Sequence, residues 1–153
     1  YKIPARGKLP PVRLIWYEGV EPPRPDELED ERKMPKDGGI LFKGDKGTIM
    51  CGVYAESPQI IPYEKMKNYK QPAQTLRRIS GSHESEWIQA IKENRPACAD
   101  FEYAAQLTEF VLLGNIAKRT QAHLKWDGPN MRVTNNEAAN QYLSRQYRDG
   151  WSL

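Results

Sequence analysis

An α+β fold, two antiparallel hairpins with intervening helices, is the class this sequence predicts. Three observations carry it. Short runs rich in β-branched and aromatic residues flank glycine-bounded turns in the first third of the chain. Segments with helical periodicity and their own cap residues begin at Ser82. A second strand–turn–strand pattern then lies between helices, and its strands carry one apolar face.

At 153 residues the chain is read as a single domain spanning 1–153, large enough to bury a core. Val12–Tyr17, "VRLIWY", follows two prolines, stops at Gly19, and reads as a strand. Residues 19–38 carry Pro22, Pro23 and Pro25 and then a dense mixture of charges. Such a stretch is expected to be a long surface loop with no buried face, either solvated or touching a partner.

"FKGDKGTIMCG" raises the question of a phosphate-binding loop. That loop must lead into a helix, whose N-terminus supplies aimed N–H groups and the positive dipole end. Here Gly47 is followed by Thr-Ile-Met-Cys-Gly-Val-Tyr, a strand-like run, and only Asp45 and Lys46 separate the glycines. The reading is a hairpin, Ile40–Lys43 and Thr48–Tyr54, around Gly44–Gly47. Gln59–Pro62 adds a short strand, and Pro62 at a first helical position suits one or two turns through "PYEKMKNYK". Arg77-Arg78-Ile79-Ser80 lies in a loop and resembles a kinase recognition string.

Ser82 is expected to cap a helix from His83 to Asn94, with Trp87, Ala90 and Ile91 on its inner face. Asp100 should cap a second, Phe101–Thr120. Its wide apolar arc, Ala104, Leu107, Val111 and Gly114 beside Phe110, Leu113 and Ala117, implies deep packing. Asp127-Gly-Pro-Asn turns a second hairpin. Thr134 and Glu137 fit a capping box ahead of a last helix that turns Ala138, Ala139, Tyr142 and Leu143 inward. Gly150 is its stop and Trp151 an anchor.

Chemistry is sparse. The net charge of +3 comes from 23 basic and 20 acidic residues without a basic stripe, so neither nucleic acid nor a membrane is an expected partner. No apolar run reaches the ~20 residues of a membrane span. Two cysteines without a CxxC spacing, beside two histidines, make a zinc site a poor reading, and Cys51 and Cys98 are expected as buried free thiols. His83, at a helix start that favours the neutral ring, is a candidate substrate contact or else a capping residue. Glu86, one turn on, either shares a site with it or completes its cap. Trp16, Trp87, Trp126 and Trp151 are core or interface residues, or sugar platforms where exposed.

The ordered series "PARGKLPPVRLIWYEG", "GGILFKGDKGTIMCGVYAESPQIIP", "SHESEWIQAIKENRPACADFEYAAQLTEFVLLGNIAKR" and "LKWDGPNMRVTNNEAANQYLSRQYRDGW" resembles the C-terminal part of Gfo/Idh/MocA-type oxidoreductases. This is the glucose–fructose oxidoreductase and inositol dehydrogenase family, and the likeness is to members abundant in Bacteroidetes and Planctomycetes. The resemblance implies a parent protein with an N-terminal Rossmann domain holding NAD(P), a C-terminal α+β domain built on an open, mostly antiparallel sheet with helices packed on one face, and a sugar or polyol substrate. It also implies homo-oligomers formed through the sheet face. The family's glycine-rich turn, Glu-Lys-Pro motif and catalytic helix would all lie upstream of Tyr1. On this reading the chain is a truncated or proteolysed piece, with its Rossmann domain as a missing partner and no catalytic, cofactor-binding or metal residue of its own. His83 does not match the family's catalytic histidine. The resemblance leaves two further readings open, the same domain of an NAD-dependent glycosidase and a non-catalytic assembly module.

Overall fold

The computed structural model describes residues 1–151, which fall into two compact units, one over Tyr1–Thr75 and a second that begins at Leu76. Both mix helix with small antiparallel sheets.

The first unit opens with β1 (Lys2–Ile3) and β2 (Val12–Arg13), paired antiparallel. Tyr1 and Leu14 exchange two further backbone hydrogen bonds, of 2.8 and 3.0 Å. Pairing ends there, so the strand expected to reach Tyr17 is short. Ile15, Trp16 and Tyr17 have no ladder partner and stand exposed.

β3 (Gly39–Lys43), β4 (Thr48–Gly52) and β5 (Gln59–Ile61) form a three-stranded sheet in that order. Lys43 pairs with Thr48, and the Gly44 N–H donates to the Gly47 carbonyl at 3.0 Å across the turn. This is the hairpin read from the sequence, and a strand follows it where a phosphate loop would need a helix. The register, Leu41↔Met50 and Thr48↔Ile61, puts Leu41, Met50, Thr48 and Ile61 on one face.

That face is sealed by the segment expected to be a solvated loop. Leu28 packs on Met50 and Ile61, all three buried, with Met34 and Leu41 around them. Pro25 is fully buried too. The charges that made the segment look solvated are the groups that hold it down. The Arg24 guanidinium donates to the carbonyls of Glu29 (2.5 Å), Arg32 (2.7 Å) and Leu28 (3.4 Å), closing the loop on itself. The Thr48 hydroxyl donates to Glu27 at 3.2 Å, Arg32 reaches Gln59, and Glu29 accepts from the Tyr63 N–H. A short helix, α1 (Tyr63–Lys67), follows β5, with Pro62 at its cap position and not inside its first turn.

In the second unit, α2 (His83–Lys92) is capped as expected, the Ser82 hydroxyl accepting from Ser85 N–H at 3.2 Å. It ends two residues early. Asn94 turns left-handed at φ 49° and Arg95 N–H returns to the Ala90 carbonyl. Its buried residues are Glu86 and Ala90, so the inner face is rotated from the one expected, and Trp87 and Ile91 point outward. α3 (Phe101–Thr120) starts on Asp100, whose Oδ1 accepts from Tyr103 N–H at 2.9 Å. Deep packing is not what it shows. Its only buried residue among those described is Ile116, while Leu107 and Leu112 are half exposed and Gly114 is half-buried.

The reason lies at its C-terminal end, where the unit's core gathers. Ile116 meets Val133 and Ala139 there, with Leu124, Trp126 and Leu143 against them. Val133 comes from the antiparallel pair β6 (Trp126–Asp127) and β7 (Arg132–Val133), the second hairpin expected. The capping box is not formed. The Thr134 N–H and hydroxyl both donate to the Lys125 carbonyl, extending the hairpin. The final helix therefore starts later, as a 3-10 helix over Glu137–Tyr142 behind Asn136. Its tighter turn brings Ala139 and Leu143 inward and leaves Ala138 and Tyr142 exposed. Trp151 is exposed under the Arg148 guanidinium at 4.8 Å and anchors nothing in the core.

Candidate functional site

The two site candidates, His83 and Glu86, share the first turn of α2 but not an environment. His83 is the first helical residue and exposed; Glu86 is turned inward and buried. Glu86 is the centre of an ion-pair cluster. Its carboxylate accepts from Arg95 Nη1 at 2.9 Å and Nη2 at 3.1 Å, a two-pronged pair. Arg77 Nη2 donates to it at 2.6 Å and the Cys98 N–H at 3.2 Å. The Arg95 guanidinium, then Arg77, hold the Glu86 carboxyl well below the usual carboxylate range. Glu86 in return, with Glu93 second, raises Arg95. A carboxylate so placed is held as the anion at neutral pH and is no proton donor there.

The cluster has a mechanical consequence. Arg95 also donates to Glu93 at 2.5 Å and to the Pro96 carbonyl at 3.2 Å, so the link 94–100 is tied back onto α2. Arg77, from the kinase-like string, is engaged here and also donates to Cys98 Sγ at 2.8 Å. Cys98 is exposed, against expectation, and it meets the cluster with both its N–H and its Sγ. Cys51 is buried as expected, and both thiols are free.

An open cleft of about 560 Å3 lies between the second half of α2 and the start of α3. Trp87, Ile91, Asn94, Asp100 and Phe101 line it, over the small side chains of Ala90, Ala97 and Ala99. Arg95 and Pro96 complete the rim, so the link fixed by Glu86 is one of its walls. Neither His83 nor Glu86 lines the cleft, and the structure does not bring them into one site. Asn94, Asp100 and Phe101 escaped sequence reasoning because they read only as the stop of one helix and the cap of the next. The one signal that pointed here was Trp87, a sugar platform if exposed.

Among the described residues no group of three or more His, Cys, Asp or Glu is gathered to hold a metal ion. The Gly44–Gly47 turn leads into β4 and not into a helix. Among the described residues no helix is long and apolar enough to cross a membrane. No model of a known protein family matches the chain, and no curated protein does.

Proposed function

We propose that this chain is the C-terminal, substrate-side and assembly domain of an NAD(P)-dependent oxidoreductase of the Gfo/Idh/MocA type acting on a sugar or polyol. The dinucleotide would be held by a Rossmann domain preceding it, and hydride transfer would take place there. The ordered series of motifs supports the family. The observation that carries the assembly role is the second face of the β3–β4–β5 sheet. Ile40, Phe42, Ile49 and Ile60 share that face by register with Cys51, and of these five only Cys51 is buried. Phe42 is 54% exposed and Ile49 40%. The opposite face is sealed by residues 25–34, so the two faces of one sheet are treated differently.

Clustered aliphatic and aromatic side chains open to water favour burial against another surface, at ~25 cal/mol per Å2 of apolar area removed. A second copy presents the same face, and a closed two-fold pairing of sheets uses it once on each side. Light scattering of the chain over a dilution series tests the assembly role, with a concentration-dependent dimer or higher oligomer expected. A monodisperse monomer at high micromolar concentration overturns it. Mass spectrometry of the longer protein, purified without added cofactor, tests the redox reading, with retained NAD(P) expected.

A further inference from the structure

We infer that the cleft between α2 and α3 is a binding site for a neutral pyranose ring, stacked on the indole of Trp87. This deepens the proposed function and rests on it for the substrate class, while the place is argued from the cleft itself.

Trp87 and Phe101 are 55% and 83% exposed although both sit on well-formed, capped helices. Alanines at 90, 97 and 99 line the same cleft, and side chains this small leave room for a ring-sized ligand beside the two aromatic residues. The volume of about 560 Å3 falls in the range of small-molecule sites. The polar groups at the rim select the ligand. The Asn94 carboxamide lines the cleft and has no hydrogen-bond partner among the described residues, which leaves both donors and its acceptor for hydroxyls. Asp100 uses Oδ1 on the Tyr103 N–H and presents its other oxygen.

The charges exclude the alternatives. Arg95, a guanidinium on the rim, is consumed by Glu86 and Glu93, while Asp100 repels anions. A phosphate or carboxylate thus finds no uncommitted cation among the lining residues. A pyranose offers what the cleft asks for, a C–H face for the indole and equatorial hydroxyls for Asn94 and Asp100. The site is also preorganised. The Glu86–Arg95 pair and the bond from Cys98 N–H to Glu86 hold the 94–100 wall in place before any ligand arrives.

The test is a titration of the 153-residue chain with the neutral methyl glycosides of glucose, galactose, mannose and xylose, and with glucuronate. Saturation-transfer NMR reads the bound sugar, and circular dichroism verifies the fold of each variant. At least one methyl glycoside is expected to bind, with affinity weakened about tenfold by Trp87→Ala. Asn94→Ala is expected to weaken it less, and Trp16→Ala, an exposed tryptophan of the other unit, not at all. Glucuronate is expected to bind more weakly than methyl glucoside. Absence of binding by all four glycosides up to ~50 mM overturns the inference. Binding unchanged in Trp87→Ala, or lost equally in Trp16→Ala, overturns it as well. Such a failure leaves the oxidoreductase reading standing if the longer protein retains NAD(P). Saccharide binding without a retained cofactor removes that reading and keeps the site.

Discussion

Glu86 carries its negative charge inside a shell of two guanidiniums and a backbone N–H, and the link to α3 depends on that charge. Its carboxyl is depressed in the folded chain, so the unfolded chain binds the proton more readily. The stability it contributes is complete above the ordinary carboxylate value of about 4.3 and is lost as pH falls toward the folded value. Thermal melts from neutral to acid pH are expected to show the wild type losing stability below about pH 5. Glu86→Gln should melt lower at neutral pH and lose less on acidification. Equal slopes for the two proteins would mean that the cluster does not hold the link. The two thiols differ as sharply. Exposed Cys98 is expected to react with a thiol reagent in the native chain, and Cys51, 3% exposed, only after unfolding. Two equivalents reacting at one rate would contradict the burial of β4.

Residues 19–38 show how an element without regular structure serves as a core layer. Leu28 supplies the apolar contact, and Arg24, Glu27, Glu29 and Arg32 find hydrogen-bond partners on the loop itself, on β4, on β5 and at the start of α1. Leu28→Ala is accordingly expected to cost about 2–5 kcal/mol in urea denaturation, the range for a truncated buried leucine. Val20→Ala, on the exposed part of the same segment, should stay within about 0.5 kcal/mol. Equal small effects would return the whole segment to solvent. The cap of α3 belongs at this scale too: Asp100→Ala removes the acceptor for Tyr103 N–H and is expected to cost ~1 kcal/mol.

For the molecule as a whole, the two faces of β3–β4–β5 are the sharpest point of contrast. Met50 lies on the sealed face and Ile49, its neighbour, on the open one. A charge at Met50 must be buried without a partner, and Met50→Glu is expected to unfold the first unit. Ile49→Glu and Phe42→Glu meet water and should keep the fold while abolishing self-association in light scattering. If Ile49→Glu unfolds the chain, the face is a core surface within one copy. If it folds and still associates, the contact lies elsewhere.

What the sequence determined by itself is what depends on near neighbours. Ser82 and Asp100 cap their helices within one turn, Gly44–Gly47 and Gly128–Met131 close their hairpins across four residues, and the order of elements follows from those signals. Burial is decided between residues far apart in the chain, and there the tertiary structure alone spoke. The charged composition of 19–38 hid Leu28, whose partners Met50 and Ile61 arrive two and three strands later. Glu86 takes the inner face of α2 in place of Trp87 because Arg77 and Arg95 converge on it from both sides of the helix in sequence. The same rotation exposes Trp87 over the cleft. A periodic pattern records which side chains are apolar; it does not record whether a buried charge will find its partners, and that choice set which face of α2 turned inward.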